Sequence, residues 1–471
     1  MGNTRRTRRD ERQMTFDFAP CSSAEGGEVK CRDTRGRGSQ KPVKRKQEPV
    51  VREDLMGRIA DLGNLKRAWE RVKSNKGSGG IDGETVEAFG ERAWTHLREM
   101  QSELLEGRYR PVPVRGVEIP KPNGGKRQLG IPTVKDRIVQ QAVAQAIMPR
   151  YERVFSDSSY GFRPNRRAHD ALRRGSAYVA EGYSTVVDLD LSKFFDRVNH
   201  DRLMARLARD IGDSRVLRLV LAFLKAGLMK DGVCQIREEG TPQGGPLSPL
   251  LANIVLDELD KELERRGHRF CRYADDCIIL VRTQRAGERV MESVARFIER
   301  KLRLKVNTAK SKVAPSRECK FLGYTISGKG QLRISKESKV KMTDKLKALT
   351  KRNQGREFEA VIREINAFLR GWLNYYGLAS AKVWLMETEA WLRRRLRCYR
   401  LKQCKRRFAI AKFLMKSGLP EWRAWLLAMS RKGWYRMSVS PQAAEAMNNK
   451  WFAEMGLIPL VSPVRRNRVV P

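Results

Sequence analysis

Phe270-Cys271-Arg272-Tyr273-Ala274-Asp275-Asp276-Cys277-Ile278-Ile279-Leu280-Val281 sets two strand-forming runs on either side of an Ala-Asp-Asp turn. The reading is a β-hairpin with adjacent acids at its tip and buried strands behind them. Two carboxylates inside an apolar pairing are electrostatically costly unless a cation neutralises them. An Asp-Asp pair is also an ordinary solvated turn, because Asp favours turns. A second acidic segment lies upstream, Thr185-Val186-Val187-Asp188-Leu189-Asp190-Leu191-Ser192-Lys193-Phe194-Phe195-Asp196. On a strand, Asp188 and Asp190 share a face, since side chains alternate with period two. Acids without histidine or thiolate ligands suit a hard cation, Mg²⁺ above all.

Between the two segments runs Gly240-Thr241-Pro242-Gln243-Gly244-Gly245-Pro246-Leu247-Ser248-Pro249. The glycines let backbone approach a ligand closely. Ser248 followed by Pro249 reads as an N-cap and first helical residue, and Leu251, Val255, Leu259 and Leu263 form the stripe of the helix that follows. Upstream, two short strands around Asn123-Gly124 make a basic-tipped hairpin. Helices are expected from Leu55 to the Asn75-Gly80 loop, after Asp82 with Val86, Phe89 and Trp94 on one face, over 134–148 and 168–179, and after Asn199. A strand is expected over 183–191. Strands and helices mixed without a βαβ period point to an α+β fold.

The chain has 471 residues and a formal net charge of +42, a balance whose common physical use is a polyanion partner. Its apolar runs, such as Cys277 to Val281, are far below the ~18–20 residues that span a bilayer, so no membrane partner is expected. The N-terminus has no apolar stretch of a secretory signal. Eight cysteines include no C-x-x-C pair, which fits reduced thiols in a cytoplasmic protein. Residues 1–50, basic and without period, read as a flexible tail. Residues 331–471 hold 31 Lys and Arg against 10 Asp and Glu, with seven of the nine tryptophans, so a boundary is placed near 332.

Together these motifs resemble a reverse transcriptase of the bacterial group II intron-encoded branch. The resemblance rests on Tyr273-Ala274-Asp275-Asp276, Thr241-Pro242-Gln243-Gly244 and the Asp190 to Phe195 strand. It extends over Asn64-Leu65 to Asp82-Gly83, Leu129 to Arg137, Tyr160-Gly161-Phe162-Arg163-Pro164 and Phe321-Leu322-Gly323-Tyr324. Leu369-Arg370-Gly371-Trp372-Leu373-Asn374-Tyr375-Tyr376 is similar to the maturase-specific domain of the same proteins. The resemblance implies an α+β right-hand polymerase, with fingers and an antiparallel palm sheet, then an α-helical thumb and maturase region. The segments would be a tail (1–50), an N-terminal helical extension (51–110), fingers and palm (111–332) and a thumb/maturase region (333–471).

By the same resemblance, Asp190, Asp275 and Asp276 hold two Mg²⁺ ions at the polymerase centre, with Asp188 outside the matched position. Phe195 excludes a ribose 2′-hydroxyl, Gln243 contacts the incoming nucleotide, and Lys121 and Arg127 grip its triphosphate. Lys310 matches a proton donor to pyrophosphate, and Phe321, Leu322, Gly323 and Tyr324 form the primer grip. The run 391–407 contains Arg393, Arg394, Arg395, Arg397, Arg400, Lys405 and Arg406 without an acid, and reads as RNA-binding, with Trp391 and Tyr399 between the charges.

The implied activity is RNA-directed DNA polymerisation from dNTPs on an RNA template with a DNA primer. It is joined to binding of a group II intron RNA, splicing assistance and retrohoming into target DNA. After Cys404 there is neither cysteine nor histidine, so the endonuclease domain of many relatives is expected to be missing, and priming would use an existing 3′ end. Two rivals are a non-catalytic splicing factor and a reverse transcriptase of host defence or diversity generation. Intact acids with Gln243 and Phe195 oppose the first, and the Gly371 to Tyr376 block opposes the second.

Overall fold

A computed structural model of the chain describes residues 54–120, 124–230, 233–235, 239–241 and 244–461; the expected tail over 1–50, Lys121 and Gln243 lie outside them. Of these, the residues up to Arg174 together with Thr185–Ala314 form one unit, and Gly175–Ser184 with the residues from Pro315 onward form a second.

The first unit opens with helices α1 (Leu55–Ala60), α2 (Leu62–Ser74), α3 (Val86–Glu91) and α4 (Ala93–Leu105). Side chains of Asp54, Asp61 and Thr85 accept from the first-turn amides of α1, α2 and α3, which fixes where each helix starts. The break at Arg92 resets the helical phase. Trp94, expected on the same face as Val86 and Phe89, is therefore half exposed, with the Arg98 guanidinium 5.7 Å from its ring centre. Strands β1 (Val114–Pro120) and β2 (Lys126–Ile131) form the fingers hairpin, antiparallel, with Ile119 opposite Arg127. Helices α5 (Val134–Glu152) and α6 (Ala168–Ala180) follow.

Next come β3 (Thr185–Leu189), α7 (His200–Asp210), α8 (Ser214–Lys225), and the short strands β4 (Leu228–Lys230) and β5 (Val233–Gln235). They give way to α9 (Ser248–Arg265), β6 (Arg269–Tyr273), β7 (Asp276–Val281), α10 (Gln284–Phe297) and β8 (Lys312–Pro315). Ser248 is the first residue of α9 rather than its cap; Leu247 stands outside the helix and makes no side-chain cap bond. One sheet has the order β2-β1-β4-β5, the other β6-β7-β3-β8. In the second, β7 pairs antiparallel with both β6 and β3, Cys277 lying opposite Arg272 on one side and Leu189 on the other. Every residue of β7 after Asp276 is buried, as a central strand requires.

A single apolar core runs from Leu55, Leu65 and Leu97 through Ile138, Val187, Leu207 and Leu256 to Ile279. Residues 54–110 thus share the core of the fingers and palm. The second unit has its own core, built on β9 (Tyr324–Ile326), β10 (Leu332–Ile334), α11 (Lys336–Leu349), α12 (Phe358–Tyr376), α13 (Lys382–Cys404), α14 (Arg407–Lys416) and α15 (Glu421–Ala428). Short helices α16 (Trp434–Met437), α17 (Pro441–Ala446) and α18 (Asn449–Glu454) complete it. The packing changes at Pro315, not near 332, because β9 pairs with β10 and the Tyr324 ring packs, tilted, against Tyr375 and Tyr376 of α12.

Asp136 in the first turn of α5 is 2 % exposed and accepts from Tyr109 Oη at 2.8 Å and Thr133 Oγ1 at 2.9 Å. Burial outweighs these donors and raises its carboxyl to about 6. An acid held above its unfolded value costs nothing while protonated, and the cost appears as pH rises between about 4 and 6. Asp136→Asn should therefore gain on the wild type by up to ~3 kcal/mol between pH 4 and pH 7 in denaturant titrations. A difference independent of pH would contradict this account.

Candidate active site

The acidic hairpin closes as Tyr273 pairs with Asp276, leaving Ala274 and Asp275 at the tip. Ala274 takes φ +57°, in the left-handed region, which the turn demands. β3 runs alongside, with Leu189 opposite Cys277. Carried one residue further, this register sets Asp190 level with Asp276. Asp190 lies just past the strand end, and its backbone is held by the 305–311 segment. Its N–H donates to Ser311 Oγ at 3.0 Å, and its carbonyl accepts from Asn307 N–H at 2.8 Å. Lys310 Nζ is 3.4 Å from Asp190 Oδ2.

Asp275 is half-buried and Asp276 exposed. Burial lifts the Asp275 carboxyl above the usual carboxylate range; Arg127 pulls it down and Asp190 pushes it up. These influences place Arg127 of the fingers and Asp190 of the palm in the electrostatic field of the tip. Carboxylate oxygens are a donor set that fits a hard divalent cation. Among the described residues no three Asp, Glu, His or Cys side chains already stand together in a metal-holding group. Asp188 is half-buried, and its field contributes to raising the buried Cys277 thiol.

The tip is anchored from beneath by Arg272, which is fully buried. Its guanidinium donates to Asp260 Oδ1 at 2.7 Å and Oδ2 at 2.5 Å, Asn253 Oδ1 at 2.9 Å, Ser159 Oγ at 2.7 Å and the Ala274 carbonyl at 2.9 Å. Burial pushes such a group down; the Asp260 carboxylate more than offsets this, and the arginine ends above its ordinary value. Asn253 also donates to the Gly161 carbonyl at 2.8 Å. Gly161 lies so close beneath the tip that an added Cβ would sit 2.2 Å from Ala274 N. Arg163, buried, binds Glu152 and the carbonyls of Ser156 and Ser159, which stiffens this underlying segment.

Phe195 stands in a 3₁₀ turn, Phe194–Asp196, half-buried and edge-on to Phe194 at 5.1 Å. Lys193 enters this turn at φ +49°. The glycine loop touches three elements. A Cβ on Gly240 would lie 2.8 Å from Phe195 O, one on Gly244 2.5 Å from Gly130 O of β2, and one on Gly245 2.2 Å from Gln140 Oε1 of α5.

In the second unit, Phe321 and Tyr324 exchange backbone hydrogen bonds around Leu322 (φ +49°) and Gly323 (φ +81°). Tyr375 Oη donates to the Leu322 carbonyl at 2.8 Å, and Ser338 Oγ donates to the Gly323 carbonyl at 3.0 Å. Tyr376 Oη in turn binds Ser338 Oγ at 2.9 Å. The Tyr-Tyr pair of the maturase-like motif thus builds the seat of the 321–324 turn.

The arginine run departs from expectation. Arg393, Arg394, Arg395, Arg397 and Arg400 are half-buried, and only Lys405 and Arg406 of the seven are exposed. Arg393 pairs with Glu389, Arg395 donates to Thr350 Oγ1 at 2.7 Å and Arg397 to the Met447 carbonyl at 3.0 Å. Arg394 lies 3.8 Å from the Tyr435 ring centre and Arg400 4.9 Å from that of Phe413. Arg393 alone among these has a carboxylate partner in Glu389; the others named lie against neutral protein groups. Tyr399 is buried, its hydroxyl on the Arg356 carbonyl at 2.8 Å, so it is no stacking platform.

The anchor beneath the tip was missed from sequence. Its signal was present: Asn253, Asp257 and Asp260 recur at four- and three-residue steps along an otherwise apolar helix, opposite an arginine inside the hairpin. Asp257, buried beside Asp260, has its carboxyl raised to about 6, first by burial and then by that neighbour.

Residues 119–326 match the reverse transcriptase (RNA-dependent DNA polymerase) family, and residues 339–416 match the group II intron maturase-specific domain. The chain is 35% identical over 315 residues to Protein YkfC of Escherichia coli (strain K12), covering 57% of this chain and 83% of that protein. It is 30% identical over 420 residues to the group II intron-encoded protein LtrA of Lactococcus lactis subsp. cremoris, covering 66% and 68%. Among solved structures, a chain of a partial Cas6-RT-Cas1–Cas2 complex aligns at a TM-score of 0.34 with 26% identity, covering 52% of this chain and 42% of that one. The chain belongs to the group II intron-encoded reverse transcriptases, with a maturase-specific domain after the polymerase domain.

Removing one partner of a buried pair leaves an uncompensated charge, at a cost of about 3–5 kcal/mol. Arg272→Met should lower stability by that order in denaturant melts, and Arg272→Met with Asp260→Leu should recover much of it. Arg265→Ala, which loses an exposed pair with Glu262, should leave the melt unchanged. Equal effects of the Arg272 and Arg265 variants would contradict the anchor.

Proposed function

We propose that this protein extends the 3′-hydroxyl of a DNA primer on an RNA template with dNTPs, releasing pyrophosphate. The observation that supports the reading is that β3 ends at Leu189, opposite Cys277, just before Asp190 and beside the hairpin tip that bears Asp275 and Asp276. Their carboxylates would hold two Mg²⁺ ions. When bound, these supply Lewis acidity toward the attacking hydroxyl and steady charge on the leaving phosphate. Arg127, already in the field of Asp275, grips the triphosphate, together with Lys121. Phe195 closes the sugar side, and Gln243 meets the nucleotide. Lys310, lying on Asp190, is the proton donor to pyrophosphate. The turn Phe321 to Tyr324 holds the primer end, its backbone fixed by Tyr375 and Ser338.

The second role is binding of a group II intron RNA to assist splicing and, with target DNA, retrohoming. Lys405 and Arg406, exposed at the end of α13, are the members of the basic run free to meet phosphate. No helix among the described residues is long and apolar enough to cross a membrane. We place the protein in the cytoplasm.

Primer extension on an RNA template with wild type, Asp190→Ala, Asp275→Ala and Asp276→Ala tests the polymerase. Each substitution should lower the rate at least a hundredfold while the melting curve stays within a few degrees of wild type. Equal rates in all four proteins would remove the assignment. Intron splicing by the Asp275→Ala protein should persist, since RNA binding does not need that carboxylate.

A further inference from the structure

The turn that carries Phe195 is held from outside by one short segment. Thr241 N–H donates to the Phe195 carbonyl at 2.6 Å and Gly240 N–H to the Val198 carbonyl at 2.8 Å. Asn199 and Glu239 form an isolated antiparallel bridge beyond them. Residues 239–241 therefore lie as a strap along 195–199. Gly240 is the close point: at φ +89°, a Cβ there would stand 2.8 Å from Phe195 O and 2.9 Å from Asp196 C. No other residue fits without moving the turn.

His200, the first residue of α7, adds a side-chain contact to these backbone bonds. It is 4 % exposed, and its Nε2 lies 2.6 Å from the Gly240 carbonyl. A carbonyl only accepts, so the contact requires the proton on Nε2. His200 follows the Asn199 cap, whose side chain accepts from Arg202 N–H at 2.9 Å, so the ring rises from a fixed helix start. The chain of contacts is short: helix start, imidazole, Gly240 carbonyl, Thr241 amide, Phe195 carbonyl.

We propose that His200 is a positioning residue for sugar selection, holding the 239–241 strap so that Phe195 stays where a 2′-hydroxyl would clash. This rests on the polymerase reading above and adds to it a residue that touches neither nucleotide nor metal ligand. Loss of the imidazole donor leaves the strap on its backbone bonds alone and lets the Phe195 turn relax, which admits ribonucleotides more than it slows deoxynucleotide incorporation. His200→Gln keeps a side-chain N–H able to reach the carbonyl; His200→Phe fills the ring's volume without a donor.

The test compares kcat/KM for a dNTP with that for the matching rNTP in primer extension on an RNA template. Wild type, Asp275→Ala, His200→Phe, His200→Gln and His200→Met are run alongside thermal melts. Leu207→Ala, which loses a buried side chain of the same helix, serves as the stability control. Expected is a fall in dNTP-over-rNTP preference of about tenfold or more in His200→Phe, its retention within about threefold in His200→Gln, and its retention in Leu207→Ala. If His200→Phe does not fold, His200→Met carries the comparison. Unchanged preference in the donor-less variants, or an equal fall in Leu207→Ala, overturns the inference while leaving the polymerase reading intact. A wild type that does not extend primers, or an Asp275→Ala protein as active as wild type, removes that reading and this inference with it.

Discussion

The buried pair of Arg272 and Asp260 is the constraint on which the acidic tip depends. An arginine with no exposure can remain charged only if a carboxylate faces it and its remaining N–H groups find acceptors. Here Asn253, Ser159 and the Ala274 carbonyl supply them. One side chain thereby ties three pieces of chain together: the α9 helix, the segment before Gly161, and the turn that bears Asp275. The apolar hairpin alone would place two strands side by side. The arginine fixes the height and tilt of the turn, the property a carboxylate aimed at an ion needs most.

Close backbone approach is the second constraint. Gly161 under the tip, Gly240 against Phe195, Gly244 against β2 and Gly245 against α5 each occupy a place that a single added carbon would fill. Gly240, Gly244 and Gly245 thereby set how closely their own backbone approaches the Phe195 turn, β2 and α5. Electrostatics fit the same frame. Arg127 of the fingers and Asp190 of the palm act on the Asp275 carboxyl from different elements of this unit.

Much of this was legible in the residues, and the failures have physical causes. Alternating and continuous apolar runs predicted the sheet that carries the acids, and the helix expected after Asn199 starts at His200, whereas the one expected after Asp82 starts only at Val86, behind the Thr85 cap. Periodicity could not foresee the break at Arg92 that turns Trp94 outward, because a one-residue interruption leaves composition unchanged. The spacing of Asn253, Asp257 and Asp260 marks a polar stripe on the α9 helix, but it does not name Arg272 as the partner, because the groups that meet there lie 12, 19 and 113 residues apart along the chain. Charge counting says nothing of where guanidinium groups lie. The run from Arg393 to Arg400 is half-buried, with aromatic rings and a carbonyl of the helical unit against several of its guanidinium groups. A guanidinium is a flat, weakly hydrated group that packs as readily as it binds phosphate, and sequence does not distinguish the two uses.

The seat of the 321–324 turn bears on how short this polymerase can be made. Someone trimming the gene to a minimal enzyme would be tempted to stop where the β strands end, shortly after Ile334. Such a fragment would retain every residue of the turn and discard Ser338, Tyr375 and Tyr376, the hydroxyls that hold it in shape. The smallest fragment that keeps the turn's supports therefore reaches past Tyr376, well into the residues that match the maturase-specific domain.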